Sequence, residues 1–322
     1  MGDRRSISHQ IGQNVVLPIP PSYHKDGSLD KAETSKYVQW LDKSGVKCIM
    51  TTAGTSQFNL LSEADISALN RICYYDFDGY KILGIPPLSL QRTLDFIRAS
   101  FISDTNFLDE YPKTCLLIMY PERYYGNDNI IDFFYKIADE SPLPIMIHGM
   151  FMRHATGGTY DYTAELINQI LKHDNIIGIK EETSELNKAY NVCMDVNTDD
   201  NVVVAAGGSM RRFNALSPTG IQTWLGGVSN MFPDVELAFR QDTTRMELIQ
   251  DFENPMFKLF MAIGWHRAMR YAMGVLGLGC KIQAKPFPYA TKHQDKCIDD
   301  LLGVLKEKCS NYGFSVPAEL TT

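Results

Sequence analysis

From residue 14 to about residue 227 the chain alternates short, wholly apolar runs with longer amphipathic stretches. The apolar runs are "NVVLPI" (14–19), "KCIMTT" (47–52), "KILGIP" (81–86), "CLLIMY" (115–120), "PIMIHG" (144–149), "IIGIKE" (176–181), "NVVVAA" (201–206) and "IQTWLGG" (221–227). They lack the in–out alternation of a half-exposed strand, so they predict strands of a parallel sheet covered on both faces. Helical spacing fills the gaps. "LDKAETSKYVQWLDKSG" runs from an acid at its start to a closing glycine, and "LSEADISALNRICYYDF" opens on Ser62 as N-cap with an acid behind it. Eight strands, each followed by a helical crossover, make a (β/α)8 TIM barrel the economical fold. The competing doubly wound sheet wants a glycine-rich turn after its first strand, whereas "LPIPPSYHKDGSLD" is rich in proline. Beyond residue 231 strand signals stop and three helical stretches follow. The expected organisation is therefore a barrel domain at 1–231 with a C-terminal helical extension at 232–322 packed on it.

Composition narrows the partners. The 322 residues are 44% hydrophobic and 21% charged, with a net charge of −7. An acidic chain without a Lys/Arg-rich block does not suit nucleic acid or an anionic membrane surface. No apolar run nears the ~20 residues that span a bilayer, and the first residues, "MGDRRSISHQIGQ", lack a secretory h-region. Seven cysteines, an odd number without a CxxC pair, read as reduced thiols packed as small hydrophobes. The expectation is a cytoplasmic protein that acts on a small molecule.

In such a barrel the chemistry sits where strands end and loops begin. Lys180 ends the sixth apolar run, and Glu181 and Glu182 follow at once. A lysine there is ordinarily a surface residue that snorkels to water. Pointed at the barrel axis it would instead be desolvated, which lowers the amine pKa towards neutrality and readies it to condense with a carbonyl. Glu181 alternates to the helix side of the strand and reads as a salt-bridge partner there. Glu182 could return to the barrel mouth, but that placement is not relied on and no role is assigned to it. His148, in "LPIMIHGM", is either a hydrogen-bonded core residue or a proton relay. Arg153, in a loop five residues on, is either solvated or a carboxylate clamp. In "AGTSQ" (53–57) small residues let backbone N–H groups approach an anion. No metal-ligand spacing and no nucleotide motif is present.

Taken together these segments resemble the dihydrodipicolinate synthase / N-acetylneuraminate lyase family of class I aldolases. "HDNIIGIKEETSEL" is similar to that family's Pro-Asn-Ile-x-Gly-Ile-Lys-Asp/Glu segment, and "LPIMIHGM" to its Leu-Pro-x-x-x-Tyr-Asn-x-Pro strand. "AGTSQFNLLSEAD" is similar to its Gly-Thr-Thr-Gly-Glu-x-x-x-Leu-Ser motif, and "AMRYAMGVLGLGCKIQAKPF" to its C-terminal helices. The resemblance implies that Lys180 forms a Schiff base with pyruvate or a related 2-oxo acid, and that no cofactor beyond this covalent imine is needed. It places His148 where the family has its proton-shuttling tyrosine, and Gly54 and Thr55 where the keto-acid carboxylate is gripped. Arg153 falls where synthases receive the carboxylate of the aldehyde substrate. Tyr120 and Tyr124 compete for the second tyrosine, and Gly207 completes the candidate substrate contacts. A homotetramer or homodimer is implied as well. Three functions stay open: aldol cleavage or synthesis with a sugar-like 2-keto-3-deoxy acid, 4-hydroxy-tetrahydrodipicolinate synthase activity, or a non-catalytic paralogue that binds a keto acid or only assembles.

Overall fold

All eight apolar runs are strands of one sheet, in chain order: β1 Val16–Pro18, β2 Cys48–Met50, β3 Tyr80–Gly84, β4 Thr114–Ile118, β5 Ile145–Gly149, β6 Ile176–Glu181, β7 Val202–Ala205 and β8 Thr223–Trp224. The structure is a computed structural model that describes residues 4–102, 113–119, 121, 123–150, 152–154, 158–279, 281–284, 286 and 288–317. A parallel bridge between Val16 and Leu225 joins the two ends of the sheet, so the strands form a nearly closed barrel. Every residue of β4, β5, β6 and β7 is buried. That is why these strands read as continuous apolar runs rather than as alternating ones.

The chain divides into two compact units, residues 1–16 with 80–225, and residues 17–79 with 226–322. The first holds β3 to β8. Its opening helix, Arg4–Gly12, is mostly polar and buries only Ile7, Ser8, Ile11 and Gly12, yet it packs against β6 and β7. The Thr223 hydroxyl donates to the Asn14 carbonyl just beyond that helix. A small sheet of Arg123–Tyr124, Met152–His154 and Thr159–Tyr160 lies in the segments that follow β4 and β5. Strands this short leave no periodic signal in the sequence.

The second unit contains the two helices read from the first third of the chain. Lys31–Lys43 is capped by Asp30, whose side chain accepts from the Glu33 amide at 3.0 Å. Glu63–Asp76 opens with a capping box in which Ser62 and Asp65 satisfy each other's amides. Such caps satisfy amide groups that the first helical turn leaves open, each contributing ~1 kcal/mol. The C-terminal part is helical, as its spacing implies: Pro233–Gln241, Asn254–Ile263, Trp265–Val275 and the long Lys292–Tyr312, closed by Gly313 at φ +70°. No helix among the described residues is long and apolar enough to cross a membrane. The six described cysteines are all free thiols.

Candidate active site

Parallel pairing of β5 with β6 puts His148 and Lys180 in register as direct neighbours, with Glu181 beside Gly149. Gly178 makes the pairing on the other edge possible. A Cβ at that position would run into the Val202 carbonyl of β7. Side chains one residue apart on β6 leave on opposite faces, and two apart on the same one. Lys180 and Glu182 therefore share a side, and Glu181 faces away.

On the far side the Glu181 carboxylate, 2% exposed, accepts from the Arg212 guanidinium at 2.7 Å and from the Thr183 amide at 2.6 Å. Arg212 also donates to the Thr183 carbonyl at 2.6 Å. This is the helix-side salt bridge that alternation implies.

On the near side Lys180 and His148 are both 0% exposed. Their Nζ and Nε2 atoms are 2.6 Å apart. The Glu182 carboxylate touches both, bonded to the Lys180 amine and 2.6 Å from His148 Nε2. His148 Nδ1 lies 3.0 Å from the Met119 sulfur. A thioether can only accept, which favours the imidazole proton on Nδ1, while the Glu182 carboxylate 2.6 Å from Nε2 favours it there, so two acceptors compete for the one proton of the neutral ring. Lysine and histidine were foreseen here; Glu182 was not, although the two-residue alternation carried the signal.

Burial sets the electrostatics. It lowers the Lys180 amine pKa below its ordinary range, while Glu182 partly holds it up. It also pushes His148 down to about 4, with the Lys180 charge acting in the same direction. The imidazole is therefore neutral near pH 7. For Glu182 burial opposes ionisation, but Lys180 and His148 outweigh it and hold the carboxyl below the usual carboxylate range. A partly deprotonatable amine, a neutral imidazole and a carboxylate thus share a few ångströms, which equips the cluster to move protons.

The other candidates are placed individually. Gly54 and Thr55 belong to the second unit, in a single 3-10 turn, Gly54–Ser56. Thr52 and Gln57 flank it in left-handed conformation at φ 54° and 53°. Thr52 Oγ1, Ser56 Oγ and Gln57 Nε2 are buried there without a hydrogen-bond partner. The Gly54 and Thr55 amides, at the start of the turn, are not consumed by it. Arg153 lies in the strand Met152–His154 rather than in a loop, its backbone paired with Thr159 and Arg123. Tyr124 stacks on Tyr160 at 3.7 Å, and both phenols donate to Asn127 Oδ1, at 2.9 and 3.1 Å. The Tyr124 hydroxyl is thus engaged by the first residue of the helix Asn127–Glu140. Gly207 is exposed after β7 at φ +84°, and Tyr120 lies outside the described residues.

A family model described as the dihydrodipicolinate synthetase family matches residues 102–303. A 4-hydroxy-tetrahydrodipicolinate synthase of Ligilactobacillus salivarius is 27% identical over 181 residues, 55% of this chain and 58% of that one. Another, of Acidiphilium cryptum, is 21% identical over 312 residues, covering 91% of this chain and 99% of its own length. Among solved structures, the prophage protein YagE of Escherichia coli K12, in complex with pyruvate, superposes with a TM-score of 0.74 at 19% identity. That match covers 91% of this chain and 98% of the other.

Proposed function

The chain belongs to the dihydrodipicolinate synthetase family of class I aldolase-type lyases, and from that premise we propose that Lys180 condenses with the ketone of pyruvate or a related 2-oxo acid. The observation that carries the reading is the dry, neutralisable amine of Lys180 set 2.6 Å from a neutral imidazole. The amine lone pair forms the C–N bond, water leaves, and a protonated imine remains. That cationic nitrogen is the electron sink, so a carbon–carbon bond one atom further out can break, or form on an aldehyde, through the enamine. The sink is covalent, and the reaction needs no other cofactor. His148 moves protons between nitrogen and oxygen during these steps. By the resemblance, Arg153 orients the aldehyde partner.

Reduction with borohydride in the presence of pyruvate, followed by intact-mass analysis, tests the proposal. A pyruvyl adduct that is absent in Lys180→Ala is the expected result. No adduct, or one that survives the substitution, overturns it. A second reading, a paralogue that binds a keto acid without turning it over, draws support from Glu182, which covers the amine. It predicts no adduct at any pH.

A further inference from the structure

Of the three groups in the cluster, only Glu182 reaches the surface. Its side chain is 28% exposed, against 0% for Lys180 and His148. A 2-oxo acid approaching the amine therefore meets this carboxylate first. Glu182 lies one residue past the last strand position, so ladder hydrogen bonds do not fix its backbone. It also holds contacts to both other members, at the amine and at 2.6 Å from the imidazole.

We propose that Glu182 is the proton acceptor and donor that switches Lys180 from ammonium to nucleophile and then completes the imine. The step rests on the imine assigned to Lys180 above. As substrate enters, the carboxylate takes one proton from the ammonium, giving a neutral amine and a carboxylic acid. The amine lone pair adds to the carbonyl carbon and its electrons move to oxygen. His148 accepts a proton on Nε2 from the nitrogen and passes it to that oxygen, giving the carbinolamine. Glu182 then returns its proton to the carbinolamine hydroxyl, the C–O bond breaks, and water departs. The products are a protonated imine, water and the original carboxylate, so proton and charge balance close. Transfers of this kind contribute about 10²–10⁴-fold when the donor and acceptor touch the reacting group.

Lys180 and His148 are the titratable groups that face Glu182 among the described residues. Glu181 also acts on Lys180, but from the other face, where Arg212 engages it. Replacing Glu182 should therefore move both the rate of imine formation and its pH profile.

The test follows the time course of reductive trapping with pyruvate and cyanoborohydride by intact mass, from acid to alkaline pH. Wild type, Glu182→Gln and Glu182→Gly are compared, the last with and without added formate. In Glu182→Gln the adduct on Lys180 should still form, about a hundredfold more slowly. Its half-maximal pH should move down, because the carboxylate that favours the ammonium is gone. Formate should restore part of the rate in Glu182→Gly, a response that a merely structural role would not give. Trapping in Glu182→Gln at the wild-type rate and pH profile, or no response to formate, overturns the role of Glu182 and leaves the imine intact. Absence of any adduct in wild type removes both.

Discussion

Two adjacent glutamates at one strand end show how differently a carboxylate can be used. Glu181 faces the helices and Glu182 faces the amine. Each touches a cation, yet their partners differ in kind. A guanidinium does not release its proton in proteins. The Glu181–Arg212 contact, further tied to both backbone groups of Thr183, can therefore only hold the strand end and the helix Ser209–Leu216 in place. The partners of Glu182 are an amine and an imidazole whose affinities for protons are both lowered by burial. What separates structure from chemistry here is whether the neighbour can let a proton go. Contact with a cation alone does not decide it, since each carboxylate has one.

Removing a partner on the structural side should break the comparison most visibly. In Arg212→Met the Glu181 carboxylate stays buried with its main counter-charge gone. The expected loss is about 3–5 kcal/mol of stability, measured as a lower urea midpoint. Trapping of pyruvate by the molecules that remain folded should change little. A variant as stable as wild type would show that the pair contributes nothing, and a variant that folds but traps nothing would place Arg212 with the chemistry instead.

The reactive side should reveal itself through pH. His148 is held at about 4 by burial, against 6.5 for a free imidazole. Between those values the unfolded chain takes up a proton that the folded protein refuses. Stability is therefore lost as pH falls from 6.5 towards 4, by up to about 3 kcal/mol. Glu182 adds to the loss only below its ordinary value of 4.5, because its folded carboxyl is held lower still. Urea denaturation at a series of pH values should thus show a slope between 6.5 and 5 that flattens in His148→Gln. Parallel profiles for the two proteins would mean that the imidazole is protonated in the folded state.

Much of this was legible in the chain. All eight strands announced themselves because nearly every strand residue is buried, and burial leaves mostly apolar residues to read. Lys180 and His148 stood out for the converse reason, as polar residues inside such runs. The helix Arg4–Gly12 stayed hidden, since two isoleucines in a polar stretch make too narrow a stripe to declare a buried face. Glu182 was visible and passed over. Its side of the strand follows from counting by two, but its contact with the amine depends on how the chain leaves β6. No local pattern encodes that departure.

The mildest test reaches the cluster from behind. Met119 touches only the remote nitrogen of His148, at 3.0 Å, so Met119→Leu leaves every member of the cluster chemically intact. The swap nearly conserves volume and should cost under about 1.5 kcal/mol. What it removes is the acceptor that favours the imidazole proton on Nδ1 against the pull of the Glu182 carboxylate at Nε2. With that preference relaxed, a fraction of the molecules would hold the other tautomer, whose Nε2–H cannot take a proton from the nitrogen bound to substrate. Trapping should slow by a few-fold, roughly in line with a hydrogen-bond preference of about 1 kcal/mol, while its pH midpoint stays near that of wild type. A shift of the midpoint comparable to that expected for Glu182→Gln would mean that the sulfur tunes the amine itself, and the division of labour between His148 and Glu182 would have to be redrawn.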